Sequence, residues 1–310
     1  MDSDMMLDPE MCDLAASFAS FSLNDVTVEQ ARRDARNHEP PPLDSIDGVR
    51  TEVFNAHVMR PEGGDVRILT VRPVGHEPRG GVLHVHGGGY VLGRPELALS
   101  FLQRLAVQTG CLVASPDYRL APEYPFPAAF VDCLLALDWL RKRLAPGKIG
   151  VVGDSAGGGL AAALAIAVRN QRGLRLAFQV LLHPMLDDRT VDEAEANPVT
   201  GAYVWTRQSN RFGWESVLTC VPGGPDTPVM AAPAREEDLS RLPPALVLVG
   251  ALDLYLDESI RYAERLNRAG VATDLRIYAG TPHNFLAVDR SRVAQAAERE
   301  IVAHIVQNLG

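Results

Sequence analysis

The chain has 310 residues, 46% of them hydrophobic and 22% charged, and 39 acidic side chains against 30 basic ones give a net charge of −9. That balance suits a globular protein with one large core or two small ones, and it works against nucleic acid and anionic membrane as partners. Cys12, Cys111, Cys133 and Cys220 are far apart and form no Cys-x-x-Cys pair, which excludes a disulfide framework or an ordinary zinc site and suggests reduced thiols inside a cell. The start, Met1-Asp2-Ser3-Asp4, is acidic and unlike a signal peptide. The most apolar segment, Gly157–Val168, is too short and Ala-rich to span a bilayer. A soluble, cytoplasmic protein without membrane insertion is expected.

Residues 1–45 stand apart from the rest. Pro9–Phe21 spaces Met11, Leu14, Ala15 and Phe18 as a helix would, and Val28–Asn37 reads as a second helix capped by Thr27. The run Pro40-Pro41-Pro42 then marks a boundary. Thr51–Val58 and Val66–Arg72 alternate apolar and polar residues around Gly63-Gly64-Asp65, which predicts an antiparallel hairpin.

Short, continuous apolar runs follow at Val82–His86, Leu112–Ser115, Ile149–Val152, Phe178–Leu182, Ala245–Val249 and Leu275–Tyr278. Runs of this kind suit strands buried on both faces of a parallel sheet. Helical patterns alternate with them at Leu97–Thr109, Pro127–Leu144, Ala156–Arg172, Asp257–Ala269 and Ser291–Leu309. The alternation predicts a doubly wound α/β domain with right-handed crossovers. Only about 187–242 breaks it, with Trp205, Phe212 and Trp214 among many polar residues. This stretch is expected to be a helical insertion. With residues 1–45 it would form a cap on an α/β domain spanning 46–310.

Gly153-Asp154-Ser155-Ala156-Gly157 fits Gly-x-Ser-x-Gly between the strand Ile149–Val152 and a helix of small residues. In that setting the turn is tight, its flanking positions must lack bulk, and the serine Oγ is exposed beside a helix N-terminus. Upstream, His86-Gly87-Gly88-Gly89 closes the strand Val82–His86. Consecutive glycines let backbone N–H groups turn inward to hold a developing oxyanion, with the Ala156 N–H completing the set. No Gly-Lys-Ser/Thr or Gly-x-Gly-x-x-Gly pattern accompanies these glycines, so no nucleotide site is expected, and acyl transfer through a serine needs no metal or cofactor.

On such a scaffold the acid and the base follow the serine in the order Asp/Glu, then His. The histidines after Ser155 are His183, His283 and His304. His183 comes before the best acid candidates, and His304 lies within the final helix. His283 sits in a loop after the last strand and is the expected base. Asp253, just past the strand Ala245–Val249, is the expected orienting acid. Asp257 and Glu258 are its rivals, although acidic residues are common at a helix start for dipole reasons alone.

Three blocks resemble the hormone-sensitive-lipase-like, arylacetamide-deacetylase-related (bacterial family IV) esterases of the α/β-hydrolase superfamily. They are His86-Gly87-Gly88-Gly89-Tyr90, Gly153-Asp154-Ser155-Ala156-Gly157-Gly158, and Asp117-Tyr118-Arg119-Leu120-Ala121-Pro122-Glu123 running on to Pro125-Phe126-Pro127. The likeness runs from about residue 50 to the end, and more loosely over the N-terminal part. It implies an α/β-hydrolase fold, a mostly parallel eight-stranded sheet flanked by helices, under a helical cap. It also implies a Ser155–Asp253–His283 triad, oxyanion donors at Gly88, Gly89 and Ala156, and a structural role for the third block. A dimer built on the edge near Leu275–Tyr278 is implied too. The family's Asp-Pro-Leu is Asp253-Leu254-Tyr255 here, and its His-Gly-Phe is His283-Asn284-Phe285.

The expected activity is hydrolysis of a small-molecule ester with a short to medium acyl chain, through an acyl-enzyme. An amidase, deacetylase or peptidase would use the same residues, and a ligand receptor would keep the scaffold without the chemistry. A true lipase is disfavoured because no strongly apolar lid is evident, although Phe18, Phe21, Trp205 and Trp214 could line an acyl pocket.

Overall fold

Eight strands form one sheet in the order β1-β2-β4-β3-β5-β6-β7-β8. The computed structural model describes residues 3–18, 22–37, 46–56, 64–144, 147–169, 171, 175–192 and 196–310. The strands are β1 (Val49–Ala56), β2 (Val66–Pro73), β3 (Gly81–Val85), β4 (Leu112–Asp117), β5 (Ile149–Asp154), β6 (Leu176–Leu182), β7 (Ala245–Gly250) and β8 (Thr273–Tyr278). β1 and β2 pair antiparallel, and β2 joins the rest through an antiparallel pairing with β4. From β4 to β8 every neighbouring pair is parallel. The architecture is the expected α/β-hydrolase fold, with a mostly parallel eight-stranded sheet. Val58 and the turn residue Gly63 lie outside the described residues.

The continuous apolar runs are explained by two cores. Successive strand residues point to opposite faces, so Leu83, Val151, Leu181 and Val247 enter one core while Val82, Val152, Val180 and Leu246 enter the other. The first core takes residues of α4 (Ala128–Leu144), α5 (Ala156–Val168) and α7 (Leu256–Arg268). The second takes those of α3 (Leu99–Thr109) and α8 (Arg292–Leu309). Helix α5 is apolar on all sides and is the most enclosed, with all but one of its residues buried.

Ahead of the sheet, Pro9–Met11 makes a 3₁₀ turn leading into α1 (Cys12–Ser17), and α2 covers Val28–Asn37. The expected single helix over Pro9–Phe21 is thus shorter and begins as a 3₁₀ turn. Phe21 and Pro40-Pro41-Pro42 lie outside the described residues. Among its described residues, the segment between β6 and β7 holds one α-helix, α6 (Arg207–Val217), and short 3₁₀ turns at Asp188–Val191 and Pro233–Arg235. It is less helical than expected, because Pro222-Gly223-Gly224-Pro225 and the prolines after it break any helical run. No helix among the described residues is long and apolar enough to cross a membrane.

Both irregular segments are held by specific polar contacts, to the domain, to each other or within themselves. Asp8 N–H donates to the Gly280 carbonyl at 2.9 Å, and Leu23 N–H donates to Ser209 Oγ at 3.1 Å. The buried Arg32 of α2 donates to the carbonyls of Val91 and Ala121 and pairs with Glu123. In the insertion, the fully buried Asp188 accepts from Arg235, Thr227 and the Gly223 N–H.

Beneath β5, the ring of Phe178 occupies the space a Cβ on Gly150 would need, so Phe178 and Gly150 fit only as a pair. Phe178 is fully buried. Phe178→Ala is expected to lower stability by about 3–5 kcal/mol, read as a shift in the urea midpoint at an unchanged slope.

Candidate active site

The sharpest local constraint lies where β5 meets α5. Ser155 has φ 55° and ψ −120°, a conformation that costs an L-residue energy and persists only when its surroundings enforce it. Here Ser155 N–H donates to the Leu182 carbonyl at 2.9 Å, and its carbonyl accepts from Met185 and Gly159. A Cβ on Gly153 would overlap the Gly157 carbonyl, and one on Gly157 would overlap the Val85 carbonyl. Those two glycines are therefore demanded by contact. Ser155 makes no capping hydrogen bond with its side chain, which leaves Oγ available.

Oγ lies 3.0 Å from His283 Nε2, and His283 Nδ1 lies 2.8 Å from Asp253 Oδ2. The imidazole tautomer follows from its neighbours: Nδ1 carries the proton toward the carboxylate, and Nε2 accepts from the hydroxyl. All three residues are buried. Asp253 Oδ1 accepts from the Tyr255 N–H at 2.9 Å, which fixes the carboxylate plane. The rival acids are engaged elsewhere. Glu258 accepts from the Leu186 N–H and from Thr190, and burial pushes its carboxyl well above the ordinary carboxylate range. Asp257 lines a surface cleft. Asn284 has φ 59°, a left-handed conformation that asparagine tolerates, so the chain turns after His283 without the glycine of the resembled motif.

The loop after β3 packs against this elbow. Gly88 and Gly89 have φ +121° and +58°. Their N–H groups, like that of Ala156 at the start of α5, donate to no acceptor among the described residues. The Gly87 N–H donates to Asp154 Oδ2 at 2.9 Å. His86 is fixed by stacking on Tyr118 at 4.1 Å, and the Tyr118 hydroxyl donates to the His86 carbonyl. Burial lowers the pKa of His86. Tyr118, the buried Asp132–Arg119 pair and Glu123 account for the third sequence block as loop bracing.

Rings enclose His283. His183 meets it edge-on at 4.5 Å, Tyr255 at 5.3 Å, and Trp205 lies tilted at 6.2 Å. The Trp205 indole also fills the space beside Gly89. The Tyr255 hydroxyl donates to Asn210 Oδ1 of α6 at 2.9 Å, linking the insertion to the loop of Asp253. Trp214 is instead fully buried against Tyr90 and belongs to the core. A polar cleft of about 820 Å³, lined by Arg207, Arg211, Leu254 and Arg261 among others, includes none of Ser155, Asp253 and His283.

Sequence reasoning gave Asp154 and Asn210 no role at this site, placed Tyr118 only within a structural block and offered Trp205 only as a lining of the acyl pocket. Asp154 stood in a variable slot of the motif, and the other three act across long chain separations that carry no local signal.

An alpha/beta hydrolase fold family model matches residues 82–287. Esterase LipI of Mycobacterium tuberculosis is 34% identical over 214 residues, covering 66% of this chain and 65% of that one, so the chain spans just under two thirds of that relative's length. The ethyl acetate hydrolase of Pseudomonas putida is 31% identical, with 73% of each chain covered. Among solved structures, a bacterial heroin esterase superposes with a TM-score of 0.89 at 32% identity, covering 100% of both chains. The chain belongs to the α/β-hydrolase family and, within it, to the hormone-sensitive-lipase-like carboxylesterases.

His183 makes this region sensitive to acid. Burial and then the neighbouring His283 lower its pKa to about 4, whereas in an unfolded chain histidine titrates near 6.5. The folded protein thus keeps His183 neutral where the unfolded chain protonates it. Its stabilising contribution is complete above about pH 6.5 and is lost as the pH falls toward 4. His183→Phe is expected to flatten the decline in melting temperature over that window relative to the parent chain.

Proposed function

We propose that this protein hydrolyses carboxylic esters with short to medium acyl chains through an acyl-enzyme, with Ser155 as nucleophile, His283 as base and acid, and Asp253 as its orienting partner. The observation that carries this is the unbroken chain of contacts from Ser155 Oγ through His283 to Asp253, at 3.0 and 2.8 Å.

In the first step Oγ attacks the ester carbonyl carbon while Nε2 of His283 takes the hydroxyl proton. The carbonyl oxygen becomes an oxyanion held by the N–H groups of Gly88, Gly89 and Ala156. Such donors are each worth about 2.7–4 kcal/mol when removed. The tetrahedral intermediate collapses, the C–O bond to the alcohol breaks, and His283 delivers its proton to the departing alkoxide. Water then attacks the acyl-serine, His283 takes its proton, and the acid leaves as Oγ is reprotonated. Asp253 stabilises the transient imidazolium without accepting its proton.

Residues 1–45 and about 187–242 act as the cap that shapes the pocket. Trp205, packed on Gly89 and near His283, forms one wall of it. The name of the Pseudomonas putida relative, an ethyl acetate hydrolase, supports a small acyl group.

A fluorophosphonate should add one phosphonyl group per chain, mapping to Ser155, and Ser155→Ala should lower kcat by about four orders of magnitude or more. An adduct on any other residue would overturn the assignment. Across p-nitrophenyl esters from acetate to palmitate, kcat/KM should peak at short to medium chains and fall steeply for the longest. A maximum at palmitate would contradict the substrate class.

A further inference from the structure

Behind the candidate site lies a second hydroxyl–imidazole–carboxylate chain that the ester chemistry does not use. His84, in the middle of β3, is almost fully buried. Its Nδ1 lies 3.1 Å from Ser115 Oγ on β4, and its Nε2 stands 3.2 Å from Asp154 Oδ1. That second contact sets the ring edge against the carboxylate, though not aligned as a straight hydrogen bond. The other oxygen of the same carboxylate accepts the Gly87 N–H at 2.9 Å. The chain therefore runs from β4 through β3 and the residue before Ser155 into the glycine loop.

We infer, on the oxyanion-donor roles proposed above for Gly88 and Gly89, that His84 is a positioning residue for ester hydrolysis, holding Asp154 so that the loop presents those N–H groups at the right distance from Ser155. Three features make the linkage specific. With the Ser115 hydroxyl donating to Nδ1, the proton of His84 sits on Nε2 and faces the carboxylate. Burial pushes the Asp154 carboxyl up, but the surrounding histidines, the His84 contact first among them, together hold it below its ordinary value. It is therefore an anion, and its bond to the Gly87 N–H is charge-assisted. Gly87 also has no slack, since a Cβ there would come 2.7 Å from Asp154 Oδ2 and 3.1 Å from Ser155 Cβ. Asp154 is only partly covered. Without His84 its carboxylate is free to turn toward water, and the Gly87 N–H loses its acceptor. Gly88 is the next residue, so the displacement falls on an oxyanion donor.

The test compares His84→Leu, which removes the ring donors, with His84→Gln, whose amide nitrogen can stand in for Nε2. Both are measured in the full chain for kcat and KM on an acetate ester, Ki of a trifluoromethyl ketone, and fluorophosphonate titration of active sites. In His84→Leu, kcat should fall about 10-fold per titrated site, a fraction of the loss from deleting a donor. KM should stay within about two-fold, and Ki should rise by the same factor as kcat falls. His84→Gln should recover most of both. Ser115→Ala, a milder change, should move kcat and Ki together by a smaller factor, and it decides the matter if His84→Leu does not fold. Parental kcat and Ki per titrated site in the folded variants would overturn the inference, as would a Ki that does not follow kcat. If the fluorophosphonate labels a residue other than Ser155 in the parent chain, the proposed function fails instead.

Discussion

The strained backbone of Ser155 is the feature on which the rest of the site depends. A residue at φ 55° and ψ −120° is stable only when several neighbours leave it no alternative. The end of β6 supplies two of them, since the Leu182 carbonyl and the Met185 N–H engage the two backbone groups of Ser155. Glycines at 153 and 157 supply the clearance. The small side chains of α5 follow from the same requirement, because a helix leaving so sharp a turn runs straight into the core between its neighbours. Each of these features places Oγ at the C-terminal edge of the sheet.

Around that point, buried charge is arranged in local pairs. Asp132 meets Arg119 and Asp188 meets Arg235, while the buried Arg32 meets Glu123, whose own side chain is half exposed. Each pair joins a loop to a helix or to another loop, and together they brace the backbone on both sides of the glycine loop and the insertion. Buried pairs of this kind add little net stability but are costly to break, so they suit the fixing of one loop geometry. The other histidines beside the site add no charge to it. His183 and His86 are held uncharged by burial, which keeps added positive charge away from His283.

The fold was legible because its signals are local. Apolar runs marked the buried strands, Gly-x-Ser-x-Gly lay between a strand and a helix, and chain order pointed to Asp253 and His283. The ends of elements drifted by a few residues, as at β6, which starts at Leu176 rather than Phe178. The insertion was the poorest reading, because the lack of a strand pattern suggested helices while its prolines and glycines made turns. Tertiary partners were hidden altogether. Nothing adjacent in the chain says that Tyr118 holds the His86 carbonyl or that Tyr255 reaches Asn210. The asparagine at 284 was noted as a departure from the family pattern, and its left-handed conformation shows why the departure is mild.

Gly89 touches two parts of the insertion at once. The Trp205 ring occupies one side of it, and Gly213 of α6 packs so closely on its carbonyl that a Cβ there would come within 2.8 Å. The wall proposed to line the acyl pocket and the loop proposed to stabilise the transition state therefore share a single residue. Remodelling that wall to admit a bulkier acyl group moves the loop as well, so selectivity and turnover cannot evolve independently at this position.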